Sequence, residues 1–525
     1  MSQSLPLLER VSRDDVTFLL TPRTTRRREP ELRPATLPPP VRPRMPDRAP
    51  GPGEQYRFHF DMSVCIGCKC CVVACNEQNG NPAELNWRRV GEVEGGWYPQ
   101  TQRAYLSMGC NHCLEPTCLE GCPVDAYSKD PLTGIVRHSA ETCIGCQYCT
   151  WNCSYGVPQY NPARGVVGKC DMCHGRLERH QAPACVSACP EGAIRIEIVN
   201  VAEWRRSLDA LNAAPGLPRA DASLSTTRVT MPADLPPGAR PLDLTHVKPD
   251  HPHWPLVVMT VLTQLSVGAF AAIWVEQLAR GAGGAGLRVA ALASFLVAGL
   301  ALAASTLHLG RPIHAYRALK MWRRSWLSRE VLLFSIFAGA AQLYAAVLWF
   351  GWPGAEIAGA FTVFSGLAGI TATACIYRVA SRPAWNSLLT PLRFMTTAAV
   401  LGPAFAAAIG AGDARPLQIA TAIASSLQCL LVAVWFLRLI ASDTIELRGT
   451  ARLLSTVLAR PFVLRSALLV GAGIALPLAA ATPAARIVAL ALLVASELVD
   501  RYLFFVSVVP KHMTTPYLAA GSEAA

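Results

Sequence analysis

Sixteen cysteines in four groups of four constrain this 525-residue chain more than any other feature. The run CIGCKCCVVAC supplies Cys65, Cys68, Cys71 and Cys75 at C-x2-C-x2-C-x3-C spacing, and CIGCQYCTWNC repeats it with Cys143, Cys146, Cys149 and Cys153. Between them CNHCLEPTCLEGCP gives Cys110, Cys113, Cys118 and Cys122, and CDMCHGRLERHQAPACVSACP then gives Cys170, Cys173, Cys185 and Cys189 across a longer gap. Three thiolates on a tight loop grip three corners of one cubane cluster, while the fourth, carried off on the helix that follows, reaches a neighbouring cluster. Four such groups predict four 4Fe–4S clusters. Zinc also uses C-x2-C pairs, but it does not need two further cysteines beside each pair. Seventeen of the nineteen cysteines lie between Cys65 and Cys189, mostly two or three residues apart, which is ligand spacing and not a disulfide framework. Cys70 reads as a small buried filler, and Cys375 and Cys429 as packing residues of apolar helices.

The rest of the chain is of another kind. Hydrophobic residues reach 51% and charged ones only 16%, against about 25% charged in ordinary soluble domains. After Trp254 come eight apolar stretches, roughly 254–274, 289–307, 331–351, 357–376, 394–412, 416–437, 461–481 and 487–508. Each is long enough to cross a hydrocarbon layer of ~30 Å as a helix. The division expected is a disordered Pro- and Arg-rich tail over 1–53, a four-cluster domain over 54–199 with strand-like runs at 103–108 and 193–199, an extended linker over 200–252, a membrane domain over 253–510 and a tail over 511–525.

Net charge is +12, and its placement argues for a membrane surface and against a nucleic-acid partner. Loops on the side of the cysteine domain carry Arg311, Arg317, Lys320, Arg323, Arg324, Arg329, Arg378, Arg382, Arg393, Arg438, Arg448, Arg452, Arg460 and Arg465. The opposite loops carry Arg280, Arg288, Arg415 and Arg486, so the asymmetry is fourteen to four. By the positive-inside rule the protein is expected in the cytoplasmic (inner) membrane, multi-pass, with the cysteine domain facing the cytoplasm. Arg23, Arg26, Arg27 and Arg28 precede a polar, Pro-rich stretch, so no secretory or twin-arginine signal is expected, and thiols on that side stay reduced.

These four runs, with NWRRVGEVEGGWY before the second and CSYGVPQYN after the third, resemble the four-cluster electron-transfer subunit of the dimethyl sulfoxide reductase type of molybdoenzyme, over roughly 55–200. Pro123 and Pro190 follow two of the fourth cysteines as in bacterial ferredoxins. HPHWPLVVMTVLTQ, STLHLGRPIHAYRALK, SREVLLFSIF, RPAWN and ELVDRYLFF, spread over about 250–510, resemble the membrane anchor of the same enzymes, so the chain looks like a fusion of two subunits. The resemblance implies an α+β fold like bacterial ferredoxin, in the form of a duplicated dicluster ferredoxin, followed by an all-α bundle of eight transmembrane helices. It implies nested sharing of the cysteines: Cys65, Cys68, Cys71 and Cys189 for one cluster; Cys170, Cys173, Cys185 and Cys75 for the next; Cys110, Cys113, Cys118 and Cys153 for the third; Cys143, Cys146, Cys149 and Cys122 for the last. It also implies a quinone or quinol site at His308 and Glu330; Arg311 and His314 are further candidates for that site and are expected to face the lipid headgroups. An interfacial capping pair is the other reading of His308 and Glu330.

None of the eleven histidines falls at mid-membrane, so no haem is expected. Glu497 and Arg501, four apart on the last stretch with Asp500 beside them, read as a structural ion pair. No nucleotide fingerprint follows a strand and no nucleophile–base pattern stands out, so substrate chemistry belongs to another subunit. The chain reads as an electron conduit between the membrane quinone pool and a separate molybdopterin-containing catalytic subunit of dimethyl sulfoxide reductase or sulfite dehydrogenase type. The alternatives are a polysulfide reductase type anchor and a redox-coupled ion transporter. The transporter needs ionisable residues at mid-membrane on several helices, which the sequence nearly confines to the last.

Overall fold

A computed structural model describes residues 44–211, 223–236, 238–242, 247–281, 284–479 and 482–511. The N-terminal tail up to residue 43, linker residues 212–222 and 243–246, the C-terminal tail from 512, and with them His246 and His512, lie outside these.

The cysteine-rich part is built on short strands: β1 Glu54–Asp61, β2 Arg89–Gly95, β3 Gln102–Met108, β4 Tyr127–Lys129, β5 Val136–His138, β6 Gln159–Asn161, β7 Val166–Gly168, β8 Ile194–Asn200, β9 Arg228–Thr230 and β10 Arg240–Pro241. They form sheets of order β8-β1-β9 and β10-β2-β3 and the hairpins β4-β5 and β6-β7. The antiparallel register pairs Tyr56 with Ile198, Phe58 with Ile196 and Phe60 with Ile194, which stacks large apolar side chains across the ladder and buries β1 along its middle six residues. Two stretches depart from the sequence reading. Residues 44–53, assigned to the tail, are tied down where Arg44 donates to the Ser187 carbonyl at 2.7 Å. Residues 200–252, assigned to the linker, supply the helix Val201–Leu211 and the strands β9 and β10. Three- and two-residue edge strands take their identity from the neighbour they pair with, and Pro-rich composition conceals them.

Eight long helices follow: α1 Trp254–Arg280, α2 Ala285–Thr306, α3 Trp326–Phe350, α4 Ala355–Tyr377, α5 Leu389–Ile409, α6 Ala414–Ile440, α7 Ala459–Ala479 and α8 Pro483–Val506. Asp413 caps α6 by accepting from the Arg415 N–H, and Thr482 caps α8 by accepting from the Ala485 N–H. Gly351 and Gly410 end α3 and α5 in the left-handed conformation. Among the described residues seven helices, α1 to α7, are long and apolar enough to cross a membrane, one fewer than the eight expected. The eighth, α8, has the length, but Arg486, Glu497, Asp500 and Arg501 interrupt its apolar surface. Gly268 of α1 meets Gly402 of α5 so closely that a Cβ on Gly402 would lie 2.2 Å from the Gly268 carbonyl carbon, the small-residue contact that lets membrane helices pack backbone to backbone.

The polar exceptions converge. Arg393 and Arg465, expected in loops, lie inside α5 and α7 and are 6% and 1% exposed, so they do not count toward the loop charge. Asp500 sits 3.0 Å from a nitrogen of each. Arg501 donates to Gln264 at 2.8 Å, and Glu497 accepts from Thr397 at 2.6 Å and Gln428 at 3.0 Å. Besides Arg465 Nε, which is ion-paired with Asp500, six atoms of this cluster, Gln264 Nε2, Ser425 Oγ, Gln428 Oε1, Arg465 Nη2, Glu497 Oε1 and Arg501 Nε, are buried without a hydrogen-bond partner among the described residues. At about 1–3 kcal/mol each, their combined cost would rival the ~5–15 kcal/mol that holds a whole domain folded. Ordered water is the ordinary remedy for buried groups of this kind.

Candidate metal centres and the membrane junction

The first and third cysteine runs fold alike. Gly67 and Lys69 in one, and Gly145 and Gln147 in the other, have positive φ, so the chain curls back on itself and brings three thiols together. A short helix then begins, Cys70–Asn79 in the first run and Tyr148–Asn152 in the third, and carries the next cysteine one turn away. Backbone N–H groups of Ala126, Gly145, Met172 and Ala193 donate to the sulfurs of Cys122, Cys143, Cys170 and Cys189 at 3.3–3.4 Å, the kind of bond that sets cluster potentials.

The thiols gather in four groups. Cys65 neighbours Cys68, Cys71 and Cys189; Cys75 neighbours Cys170, Cys173 and Cys185; Cys118 neighbours Cys110, Cys113 and Cys153; Cys149 neighbours Cys122, Cys143 and Cys146. Complete quartets line two cavities, Cys65, Cys68, Cys71 and Cys189 one, and Cys110, Cys113, Cys118 and Cys153 the other. The groups follow in series: Cys71 faces Cys185, Cys170 faces Cys110, and Tyr127 lies against Cys118, Cys122 and Cys149. A zinc site draws its donors to about 2.0–2.3 Å from one centre. Among the described residues no three His, Cys, Asp or Glu side chains converge in that way, whereas hollows ringed by four thiols suit a group with thiolates at its corners. Cys70 is exposed beside Cys68, which corrects its reading as a buried filler.

Two buried cations escaped the sequence reading. Arg88, 3% exposed, faces Cys71, Cys75, Cys170 and Cys185 and donates to Ser107 at 3.2 Å. Lys169, 4% exposed, donates to the carbonyls of Val136 and Cys170 and lies 3.7 Å from the Cys110 sulfur. The only sequence signal was position: Arg88 stands in NWRRV and Lys169 directly precedes Cys170.

The last thiol group abuts the helices. His308 shares a 3.2 Å hydrogen bond with the Cys146 carbonyl, and Trp151 stacks on its ring. Tyr377, Trp385 and His253 surround the same indole within 5.3–5.7 Å. Burial pushes the His308 imidazole down to about 4 and that of His253 to about 3, so both are neutral near neutrality. Glu330, buried in the first turns of α3, accepts from Thr373 at 2.6 Å. It neighbours Tyr148, which in turn neighbours Cys146. His308 and Glu330 thus flank one aromatic cluster, and no direct hydrogen bond between them occurs among the described residues. Arg311 does not face lipid headgroups: its N–H and guanidinium donate to the carbonyls of Ile144 and Ala140 at 3.1 and 2.8 Å, clamping the iron-sulfur half to the helices. A cavity of about 270 Å³ lies beside this junction, lined by Tyr148, Asn152, Arg324, Trp326, Cys375 and Arg378 among others.

Comparison with known proteins gives two family matches, the 4Fe-4S dicluster domain over residues 101–198 and the DMSO reductase anchor subunit (DmsC) over residues 248–506. A component of the anaerobic dimethyl sulfoxide reductase of Haemophilus influenzae is 37% identical over 188 residues, 34% of this chain and 87% of that protein. A component of a probable anaerobic dimethyl sulfoxide reductase of Escherichia coli K12 is 39% identical over 174 residues, 32% of this chain and 83% of that protein. A component of the sulfite dehydrogenase of Allochromatium vinosum is 36% identical over 160 residues, 26% of this chain and 67% of that protein.

Proposed function

The chain belongs to the dimethyl sulfoxide reductase family of iron-sulfur subunits, with the membrane anchor of that enzyme type in the same polypeptide, and on that premise we propose how it moves electrons. It is an electron-transfer and membrane-anchor subunit. We assign it four 4Fe–4S clusters, held by Cys65, Cys68, Cys71 and Cys189; by Cys75, Cys170, Cys173 and Cys185; by Cys110, Cys113, Cys118 and Cys153; and by Cys122, Cys143, Cys146 and Cys149. Bound there, such groups supply one-electron carriage. The protein holds the thiolates in register, excludes water from them, and sets Arg88 and Lys169 between them against their negative charge. The iron-sulfur half is then a duplicated dicluster ferredoxin, and α8, whose charges are paired inside the bundle, is an eighth span.

The observation that carries this reading is the unbroken series of thiol groups, which begins at the exposed Cys68 and ends at Cys146 against His308. A molybdopterin-containing catalytic subunit docks at the first end, where Ile66 and Val73 are 57% and 61% exposed. At the other end a quinone from the membrane pool exchanges electrons and protons, with Glu330 and His308 as its contacts and the cavity beside Tyr148 as its approach; Arg311 serves to dock the two halves. The Arg and Lys asymmetry supports an iron-sulfur half on the cytoplasmic side of the inner membrane.

Purified protein should carry about sixteen iron and sixteen sulfide per chain, and about four iron, or stoichiometric zinc, overturns the assignment. Glu330→Gln keeps shape and removes a proton acceptor, so quinone-linked turnover should fall about a hundredfold or more. Turnover with a soluble dye that exchanges electrons directly with the clusters should persist. Wild-type quinone-linked turnover in both Glu330→Gln and His308→Ala makes the two residues interfacial caps.

A further inference from the structure

We propose that α5, α6, α7 and α8 enclose a water-lined proton path that opens on the membrane face opposite the iron-sulfur half and ends on Glu497, which takes up and releases the proton. This rests on the membrane reading of the helices and is independent of where quinone binds.

The path starts from α6. Gln418, Thr421, Ser425 and Gln428 recur at intervals of three and four residues, so they share one face, and all four are at most 6% exposed. At the outer end Gln418 and Thr421, with Arg486 and Pro477, line a cavity of about 10 Å³, room for about one water molecule. Further in, α7 loosens into the π turn Gly471–Ala475, whose Gly473 lies so close to Ser425 that a Cβ there would meet the hydroxyl at 2.4 Å. Such turns free backbone carbonyls and recur at functional sites. Gln428 then donates to Glu497. Glu497 is fourteen residues past Pro483, about 20 Å along α8 at the helical rise, which is well inside the hydrocarbon layer. The unpartnered oxygens of Ser425, Gln428 and Glu497 all fall on this route, each on a side chain at most 1% exposed.

Two carboxylates stand at the inner end and only one is free to titrate. Asp500 is held by Arg393 and Arg465. Among the described residues Glu497 is hydrogen-bonded only by the neutral Thr397 and Gln428, and its Oε1 is open. The groups around it are Gln264 of α1, Arg393 and Thr397 of α5, Ser425, Gln428 and the Cys429 thiol of α6, Arg465 of α7, and Asp500 and Arg501 of α8. With three arginines against two carboxylates, ionised Glu497 leaves the cluster one positive charge and protonated Glu497 leaves it two. Each cycle moves one proton from hydronium to the carboxylate, releasing water, and back again. Beyond the cluster the way is closed by rings, since Arg501 lies 3.8 Å from the centre of Phe394 and Arg393 4.4 Å from that of Trp435. The path therefore communicates with one membrane face.

The test uses the full chain, assembled with its catalytic subunit in sealed lipid vesicles, and dicyclohexylcarbodiimide, which adds to protonated carboxyl groups and enters through lipid. Peptide mass mapping should find Glu497 modified, with the yield falling about tenfold per pH unit above its pKa as the pH opposite the iron-sulfur half is raised. It should not respond to pH on the iron-sulfur side. Thr421→Val and Gln428→Leu should abolish the response while iron content stays at wild type; if Gln428→Leu does not insert, Thr421→Val alone decides. An unmodified Glu497 at every pH, a yield that follows pH on the iron-sulfur side, or a response that persists in Thr421→Val overturns the proposal. No quinol is added, so failure of the quinone assignment leaves these outcomes unchanged.

Discussion

The two halves bury positive charge in opposite ways. In the iron-sulfur half Arg88 and Lys169 are almost wholly enclosed, no carboxylate pairs with either among the described residues, and the groups of opposite sign nearest to them are thiols. In the membrane half Arg393, Arg465 and Arg501 are equally enclosed but face Asp500 and Glu497. An unpaired buried charge is among the most destabilising features a fold can contain. The first half therefore reaches electrical balance only with its thiolates ionised and ligated, while the second offsets most of its buried positive charge with carboxylates of its own.

The sharpest way to break this contrast is to remove the metal. Iron chelation under reducing conditions should abolish the cooperative melting of the iron-sulfur half, because ligation energy is folding energy in such domains, while helix content in detergent persists; circular dichroism through a thermal ramp separates the two. Next comes Asp500→Asn, which strands Arg393 and Arg465 and should cost about 3–5 kcal/mol in the membrane half. A lowered melting temperature with unchanged iron content is the expected result, and adding Arg393→Met should recover part of it. Lys169→Met should act in the other half and more mildly, at about 1–3 kcal/mol. It should also lower the potential of the adjoining clusters, since loss of a positive charge disfavours the reduced, more negative state; redox titration followed by electron paramagnetic resonance reads that shift. The smallest effect is expected of Cys70→Ala, which should leave iron content and melting unchanged because that thiol is exposed and belongs to no quartet.

The cysteine runs were legible because ligand spacing is local: three thiols of each quartet lie within one short stretch of chain. The strands at 103–108 and 193–199 and the apolar helices were legible for the same reason, each having its pattern inside its own sequence. What the sequence concealed was non-local. Arg393 and Arg465 lie within a turn or two of helix ends, and only packing against α8 shows that they point inward to Asp500. Arg311 resembles any basic loop residue until Ala140 and Ile144 are placed beside it. Arg88 became significant once the fourth run, roughly eighty residues later in the sequence, was folded against the first.

Gly310 of the HLG segment rests on Gly165 and Gly145, close enough that a Cβ on Gly310 would lie 2.2 Å from the Gly165 carbonyl oxygen, and one on Gly145 2.9 Å from Gly310. Three absent side chains therefore act as the shim between the two halves. Electron tunnelling falls off steeply with distance, so on the proposed route from the membrane to the thiol groups the thickness of that shim would govern the current across the joint. A single methyl group at Gly310 would force the two backbones apart and work as a spacer, weakening conduction at the seam while each cysteine stayed in its own group.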